Sequence, residues 1–271
     1  VELIALNSRQ LDITDRQAVE ACMAQYRPQL IINAAAYTAV DLAETEQPQA
    51  HAVNASGPAN LARSAESAGA ALFHISTDYV FDGVSEVPYD ESAFTRPQTA
   101  YGRTKLAGEE AVANLCSRHL ILRTSWVFSA YGGNFVKTML RLASERDVLR
   151  VVADQYGGPT SAKSIAVCLW TLTSEYRAKQ DSFRWGLFHF SGAPVSSWYD
   201  FAEHIITAAA QHNLIPWRPL MHPILSTDYP TPAPRPAFSA LDCDKITQLH
   251  AVEQPDWRED LSAVLAVLAE T

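Results

Sequence analysis

The chain has 271 residues, 48% of them hydrophobic, and a formal net charge of −9. That is length enough for one large core or two modest ones. The negative balance argues against nucleic acid or an anionic membrane as partner, and no apolar run approaches the roughly 20 residues that span a bilayer. The four cysteines, Cys22, Cys116, Cys168 and Cys243, show no metal-ligand spacing. They read as reduced core thiols of a cytoplasmic protein, and the residues predict no metal site.

Residues 1–6, Val-Glu-Leu-Ile-Ala-Leu, read as a strand. Thr14-Asp15-Arg16-Gln17 has the spelling of a capping box and predicts a helix to about residue 25. Leu30-Ile31-Ile32 is a second apolar strand that stops at Asn33-Ala34-Ala35-Ala36, where small side chains let a flat ligand approach the backbone. A polar, alanine-rich stretch precedes a helix over residues 58–68, ended by Gly69. Ala71-Leu72-Phe73-His74-Ile75 is then a buried strand that ends in the small polar groups Ser76-Thr77-Asp78. This βαβαβ order predicts an α/β fold with a doubly wound parallel sheet and right-handed crossovers, which binds ligands at its carboxyl strand ends.

Residues 78–99 have no period and predict a loop over that edge. Tyr101-Gly102-Arg103-Thr104-Lys105 opens a helix in which a spacing of four puts Tyr101 and Lys105 on one face. A fixed cation beside a phenol is a means of lowering its proton affinity toward a useful range, although this spacing arises by chance in roughly one such chain in five. Residues 119–123 form the next strand, ending in Thr124-Ser125-Trp126-Val127-Phe128. Gly132-Gly133-Asn134 precedes a helix with Phe135, Met139, Leu140 and Leu142 on its core face. A strand over 149–152, a turn-rich run from Asp154 to Thr160 and a helix over 161–176 follow. After Asp181 come a strand over 185–190, a helix over 198–211, a proline-dense run from Pro216 to Pro236 too rich in proline for regular structure, and a closing helix over 256–269. Within the proline-dense run, residues 229–236 form a stiff strap; it either holds Arg235 over a pocket or is a surface connection.

The Asn-Ala-Ala turn, the strand-end hydroxyl and the Tyr-x-x-x-Lys helix together resemble the extended short-chain dehydrogenase/reductase superfamily. The runs Ser76-Thr77-Asp78-Tyr79-Val80-Phe81-Asp82-Gly83, Tyr101-Gly102-x-Thr104-Lys105-Leu106-x-Gly108-Glu109, Arg123 to Phe128, Asp154-Gln155-x-Gly157-x-Pro159-Thr160 and Thr231-Pro232-Ala233-x-Arg235-Pro236 resemble the dTDP-4-dehydrorhamnose reductase family over nearly the whole chain. The resemblance implies a Rossmann-like cofactor-binding domain in residues 1–152 and 160–180. A smaller C-terminal α/β substrate-binding domain would then occupy 153–159 and 181–271. No glycine precedes Gly57, so residue 1 is expected on the second strand. A first strand, Gly-rich loop and helix of roughly 25 to 30 residues would lie outside this chain, which alone should bind dinucleotide weakly.

The implied activity is NADPH- or NADH-dependent reduction of the 4-keto group of dTDP-4-dehydro-L-rhamnose, a step toward cell-surface polysaccharide. The implied catalytic residues are Tyr101 as acid, Lys105 behind it and Thr77 as donor to the carbonyl, with a structural strand-end threonine the alternative for Thr77. Asp78, Trp126 and Arg235 match substrate positions, the arginine facing the diphosphate; a core role is the alternative for Trp126. Asp12 and Ile13 match adenine contacts, and Ala36, Tyr37 and Thr38, with Tyr101 and Lys105, the remaining cofactor contacts. Asn7 and Arg9, in place of an acidic residue, imply that NADPH serves at least as well as NADH. The polar pattern after the strap reads Pro236-Ala237-Phe238-Ser239, which leaves one contact in doubt. Magnesium at a dimer contact, known in some relatives, has no place that the sequence identifies, and a homodimer stays open. Two other readings remain: a non-catalytic subunit resembling the β subunit of methionine adenosyltransferase, and another nucleotide-sugar reductase or epimerase.

Overall fold

Helix α1 (Arg16–Tyr26) starts where the Asp15 carboxylate accepts from the Gln17 and Ala18 amides, and it ends at Arg27 in the left-handed conformation. Strand β1 (Leu30–Asn33) follows. Two short helices, α2 (Val40–Ala43) and α3 (Gln47–His51), then lead through a π turn at Ala52–Ser56 into α4 (Gly57–Ala68). Gly69, at φ 66°, stops α4. The chain continues through β2 (Ala71–Thr77), α5 (Ala100–Leu115), β3 (His119–Thr124), β4 (Val127–Phe128), α6 (Phe135–Glu145), β5 (Val148–Val152), β6 (Tyr156–Gly157) and β7 (Thr160–Ser161). It closes with α7 (Ala162–Ala178), β8 (Gly186–His189), β9 (Ser196–Ser197), α8 (Trp198–Gln211), β10 (Leu220–Ile224), α9 (Asp244–His250) and α10 (Trp257–Ala269). The computed structural model describes residues 2–270, and none of its helices is long and apolar enough to cross a membrane.

Strands β1, β2, β3 and β8 form one sheet in that order, every pair parallel. Both faces are covered, as near-continuous apolar strands require. On one face Leu72 and Ile121 pack against Val19 and Met23 of α1, Leu61 and Ala65 of α4 and Val112 of α5. On the other, Phe73, Leu120, Leu122 and Phe188 pack against Ile165, Leu169 and Leu172 of α7 and Ile246 of α9. This is the doubly wound α/β architecture that the residue pattern predicts. A second core joins α6, α8 and α10 to β5 through Val136, Met139, Phe201, Ile205, Trp257 and Leu261.

Four expectations change. Residues 2–6 carry no strand: among the described residues no neighbour offers them a hydrogen-bond ladder, and Leu3 is left 74% exposed. The alanine-rich stretch holds α2, α3 and the π turn, elements too short to give a period. The strand expected in the second domain at 185–190 joins the main sheet as β8, reached by a crossover through α7, whereas Val148–Val152 leaves that sheet to pair with β10. The proline-dense run does hold regular structure, because β10 has a partner on one side only, and an edge strand can place a proline where its missing N–H faces away from the ladder.

Helix α5 sits unusually close to its neighbours. A Cβ on Gly108 would collide with the Asn54 carbonyl oxygen in the π turn, and one on Gly102 with the Tyr79 carbonyl oxygen. Backbone atoms cannot swing aside as a side chain can, so Gly108→Ala should lower stability by about 1–3 kcal/mol, read as an earlier midpoint in chemical denaturation. An unchanged midpoint would contradict this packing.

Candidate active site

The carboxyl ends of β1, β2 and β3 and the first turn of α5 bring most of the candidate residues together. Thr99 caps α5 by accepting from the Gly102 amide at 3.0 Å, and Glu44 accepts from the Ala100 amide at 2.8 Å. With the helix start fixed, Tyr101 is 9% exposed and Lys105 2% exposed. Tyr101 meets Tyr79 edge-on, with ring centroids 5.5 Å apart. Burial pushes its phenol up to about 12; hydrogen bonding with Thr77 works against that rise, and the Asp78 charge adds to it. Lys105 Nζ donates to the Ile75 carbonyl at 2.7 Å. Burial brings its pKa down to about 8, opposed by the charge of Glu109. The ammonium therefore stands one turn behind the phenol as expected, but its shown bond is to the strand, and the phenol lies above its ordinary value.

Thr77 and Asp78 stand at the end of β2. Thr77 Oγ1 donates to Asp78 Oδ1 at 2.9 Å and accepts from the Tyr79 amide at 3.2 Å. Asp78 is 3% exposed, and burial pushes its carboxyl up to about 6 against the pull of Ser239, Thr77 and two backbone amides. Ser239 is near enough to exert that pull, yet neither Ser239 Oγ nor Asp78 Oδ2 makes a hydrogen bond of good geometry.

The adjoining edge, at the end of β1, is pinned from both sides. Asn33 Oδ1 accepts from the Ala35 amide at 3.1 Å, and Asn33 Nδ2 lies 3.0 Å from His74 Nδ1. Asn54, in the π turn, accepts from the Tyr37 amide at 2.8 Å and donates to the Tyr37 carbonyl and to Thr104 Oγ1 on α5. Between these anchors Ala34 and Ala35 are exposed with only methyl groups, and Ala36 is half-buried beside exposed Thr38. A flat ring could lie against that backbone with the Lys105 helix alongside, so these residues fit a nicotinamide ribose. The Tyr37 hydroxyl instead donates to Glu46 at 2.6 Å. Asp12 and Ile13 belong to the α1–α4 side: the Asp12 carboxylate accepts from the Thr14 amide and hydroxyl, and Ile13 packs in the core there, under Gly57.

The strap is held rather than loose. Phe238 N donates to the Gly83 carbonyl, and Tyr156 and residues 237–239 exchange two backbone bonds. Arg235 Nη2 pairs with Asp41 Oδ2 of α2 at 2.7 Å, and Asp41 Oδ1 accepts from the Ala233 amide. The arginine expected to face a diphosphate thus has a carboxylate partner in this structure. Trp126 has φ 45° and stacks on Trp198 of α8 with centroids 3.5 Å apart; Gly157 lies against its indole so closely that a Cβ would not fit.

Sequence reasoning missed His74 and Asn54, and it named Asn33 and Ser239 only as parts of a turn and of a pattern after the strap. It also missed the role of Glu109, whose carboxylate is gripped by Arg123 of β3 through bonds of 2.6–3.2 Å with both side chains buried. The Gly108-Glu109 spelling was the only available signal, and its meaning lies in contacts with distant parts of the chain.

A parallel sheet with a buried Tyr-x-x-x-Lys helix start against a strand-end Thr-Asp defines a short-chain dehydrogenase/reductase. The model of the RmlD substrate binding domain family matches residues 1–270. The dTDP-4-dehydrorhamnose reductase of Aggregatibacter actinomycetemcomitans is 44% identical over 265 residues, covering 98% of this chain and 90% of the relative. That of Escherichia coli K12 is 40% identical, covering 96% and 86%. Among solved structures, a dTDP-4-dehydrorhamnose reductase from Clostridium acetobutylicum superposes with a TM-score of 0.91 at 37% identity, covering 98% of this chain and 90% of the other. One from Bacillus anthracis in complex with NADP gives 0.88 at 36%, covering 97% and 89%. The chain belongs to the dTDP-4-dehydrorhamnose reductase family.

The buried ammonium has a consequence for stability. Lys105 falls from 10.5 to about 8 on folding, so between those values the unfolded chain binds the extra proton. Its burial opposes folding fully below about pH 8, and the penalty disappears above 10.5. The stability of Lys105→Met relative to the wild type should therefore fall as pH rises from 8 to 10, measured by urea denaturation at each pH. A difference independent of pH would mean that the lysine is not buried in charged form.

Proposed function

We propose that this chain reduces the 4-keto group of dTDP-4-dehydro-L-rhamnose to give dTDP-L-rhamnose, with NADPH or NADH as reductant. The observation that carries the reading is the meeting of Tyr101 and Thr77 at the end of β2 in a chain of this family. The nicotinamide cofactor, when bound, supplies hydride to the keto carbon. Tyr101 protonates the oxygen left negative by that transfer, and the Thr77 hydroxyl donates to the same oxygen; a donor already aimed at developing charge costs no reorganisation. Lys105 holds the cofactor ribose and stands as the nearby cation. Ala36, Tyr37 and Thr38 lie along the ring end of the cofactor, and Asp12 and Ile13 at its adenosine end.

Asp78 and Trp126 line the sugar, Trp126 fixed by its stack on Trp198. Arg235 takes the diphosphate by exchanging the single carboxylate of Asp41 for paired phosphate oxygens, which suit a guanidinium fork. Residues of the second core, joined to the main sheet by the strap, supply the rest of the substrate side.

With purified protein and the keto sugar, absorbance of the reduced nicotinamide should fall only when both are present. Tyr101→Phe should lower kcat by about 100-fold or more, and Arg235→Ala should raise KM for the sugar nucleotide by about 10-fold or more with a smaller change in kcat. Full kcat in Tyr101→Phe would contradict the assignment of the acid.

A further inference from the structure

Thr77 has one hydroxyl hydrogen and several groups that could take it. In the structure it goes to Asp78 Oδ1 at 2.9 Å, while the oxygen accepts from the Tyr79 amide. The Tyr101 phenol is close enough for the same hydroxyl to hold its pKa down, and on the reading above the hydroxyl must also serve the keto oxygen of the substrate. A hydrogen held by a carboxylate is held by a charged acceptor, roughly twice as strongly as by a neutral one. With that bond in place Thr77 has nothing to donate to the sugar.

We propose that Asp78 is a positioning residue that sets where the Thr77 hydrogen points: ionised, it draws the hydrogen to itself, and neutral, it releases it toward the keto oxygen. This inference rests on the reductase reading. It stands on geometry: a carboxyl group within bonding distance of the Thr77 hydroxyl, 3% exposed, with its second oxygen unpaired and Ser239, whose hydroxyl is unpaired too, near it. A proton on Asp78 has a place to go, because a carboxylic acid can donate from Oδ2 toward Ser239 Oγ, or from Oδ1 to Thr77 Oγ1. Either arrangement leaves Oδ1 a weaker acceptor or a donor, and the Thr77 hydrogen becomes free.

The surrounding groups act in the same direction. Facing Asp78 are Thr77 and the Tyr79 amide on its own strand end, the Tyr79 and Tyr101 phenols, and Ser239 just beyond the strap. Beyond these, the buried Lys105 ammonium bonds the Ile75 carbonyl of the same strand, and Arg235 and Asp41, which pair with each other, reach Tyr79. The negative charge of Asp78 raises both phenols, so neutralising it makes Tyr101 a better acid while it frees Thr77. Burial places the midpoint of this change at about 6, where a small change in the pocket shifts the population.

The test titrates protein carrying 13C at aspartate Cγ by NMR, in the wild type, Thr77→Val and Thr77→Ser, and then measures kcat against pH in the wild type and Asp78→Asn at saturating nucleotide. A hydroxyl that donates to the carboxylate lowers its pKa, so Thr77→Val should move the Asp78 midpoint up by about one pH unit, with Thr77→Ser restoring it. Wild-type kcat should fall about fivefold or more between pH 5.5 and 7.5. Asp78→Asn, whose amide donates to Thr77 at every pH and so stands in for the neutral acid, should have a kcat that is level across that range. An Asp78 midpoint indifferent to Thr77→Val, or the same fall in Asp78→Asn, would overturn the inference. A wild type that reduces no keto sugar at any pH counts against the reductase reading instead, and the titration then judges the Thr77–Asp78 coupling by itself.

Discussion

The structure depends on how closely the amino-terminal turn of α5 enters the strand-end edge of the sheet. Gly102 lets the helix backbone reach the Tyr79 carbonyl and Gly108 lets it reach the π turn. Only with both approaches does Tyr101 arrive beside Thr77. The same docking forces Lys105 and Glu109 into the interior. Each then needs a partner: the Ile75 carbonyl for the ammonium, and Arg123 on the neighbouring strand for the carboxylate. Removing one member of such a buried pair leaves an uncompensated charge, a cost typically of about 3–5 kcal/mol. The motif Tyr-Gly-x-Thr-Lys-x-x-Gly-Glu is thus a packing specification as well as a set of reacting groups, with the Thr104 hydroxyl oxygen accepting from the Asn54 amide.

Burial also sets the chemistry of the pocket. A phenol, a carboxyl and an ammonium share it, and desolvation moves all three toward their neutral forms: Tyr101 and Asp78 up, Lys105 down. Asp78 and Lys105 are thereby brought closer to one another and to neutral pH than they would be in water, whereas burial moves the Tyr101 phenol away from both. Arg235 and Asp41 add a second layer. Their ion pair ties the strap to α2.

Much of this was legible in the residue order. The apolar runs at 30–32, 71–75 and 119–123 gave three strands of the main sheet, and helices α1, α4, α5, α6, α7, α8 and α10 were visible from caps and periods. The spacing of Tyr101 and Lys105 on one helix and the place of Thr77 at a strand end are readable in the residue order. What stayed hidden is what no local pattern encodes. Strand β10 contains Pro223, which is acceptable because, among the described residues, nothing pairs with its other edge. Residues 2–6 have strand composition and, among the described residues, no strand to join. Asn33 and His74 touch across 41 positions of sequence, Asn54 and Thr104 across 50, and the π turn that presents Asn54 has no composition of its own. Asp78 was read as a substrate contact, and its tie to Thr77 emerged only from the geometry.

The central claim is a ketone reduced at the Tyr101–Thr77 edge, and isotope transfer tests it most directly. With deuterium placed on the reducing carbon of the nicotinamide and the keto sugar as acceptor, the account predicts NMR of the product with one deuterium at C4 of the rhamnosyl ring. A product carrying no deuterium at C4, or carrying it at another ring carbon, would contradict it.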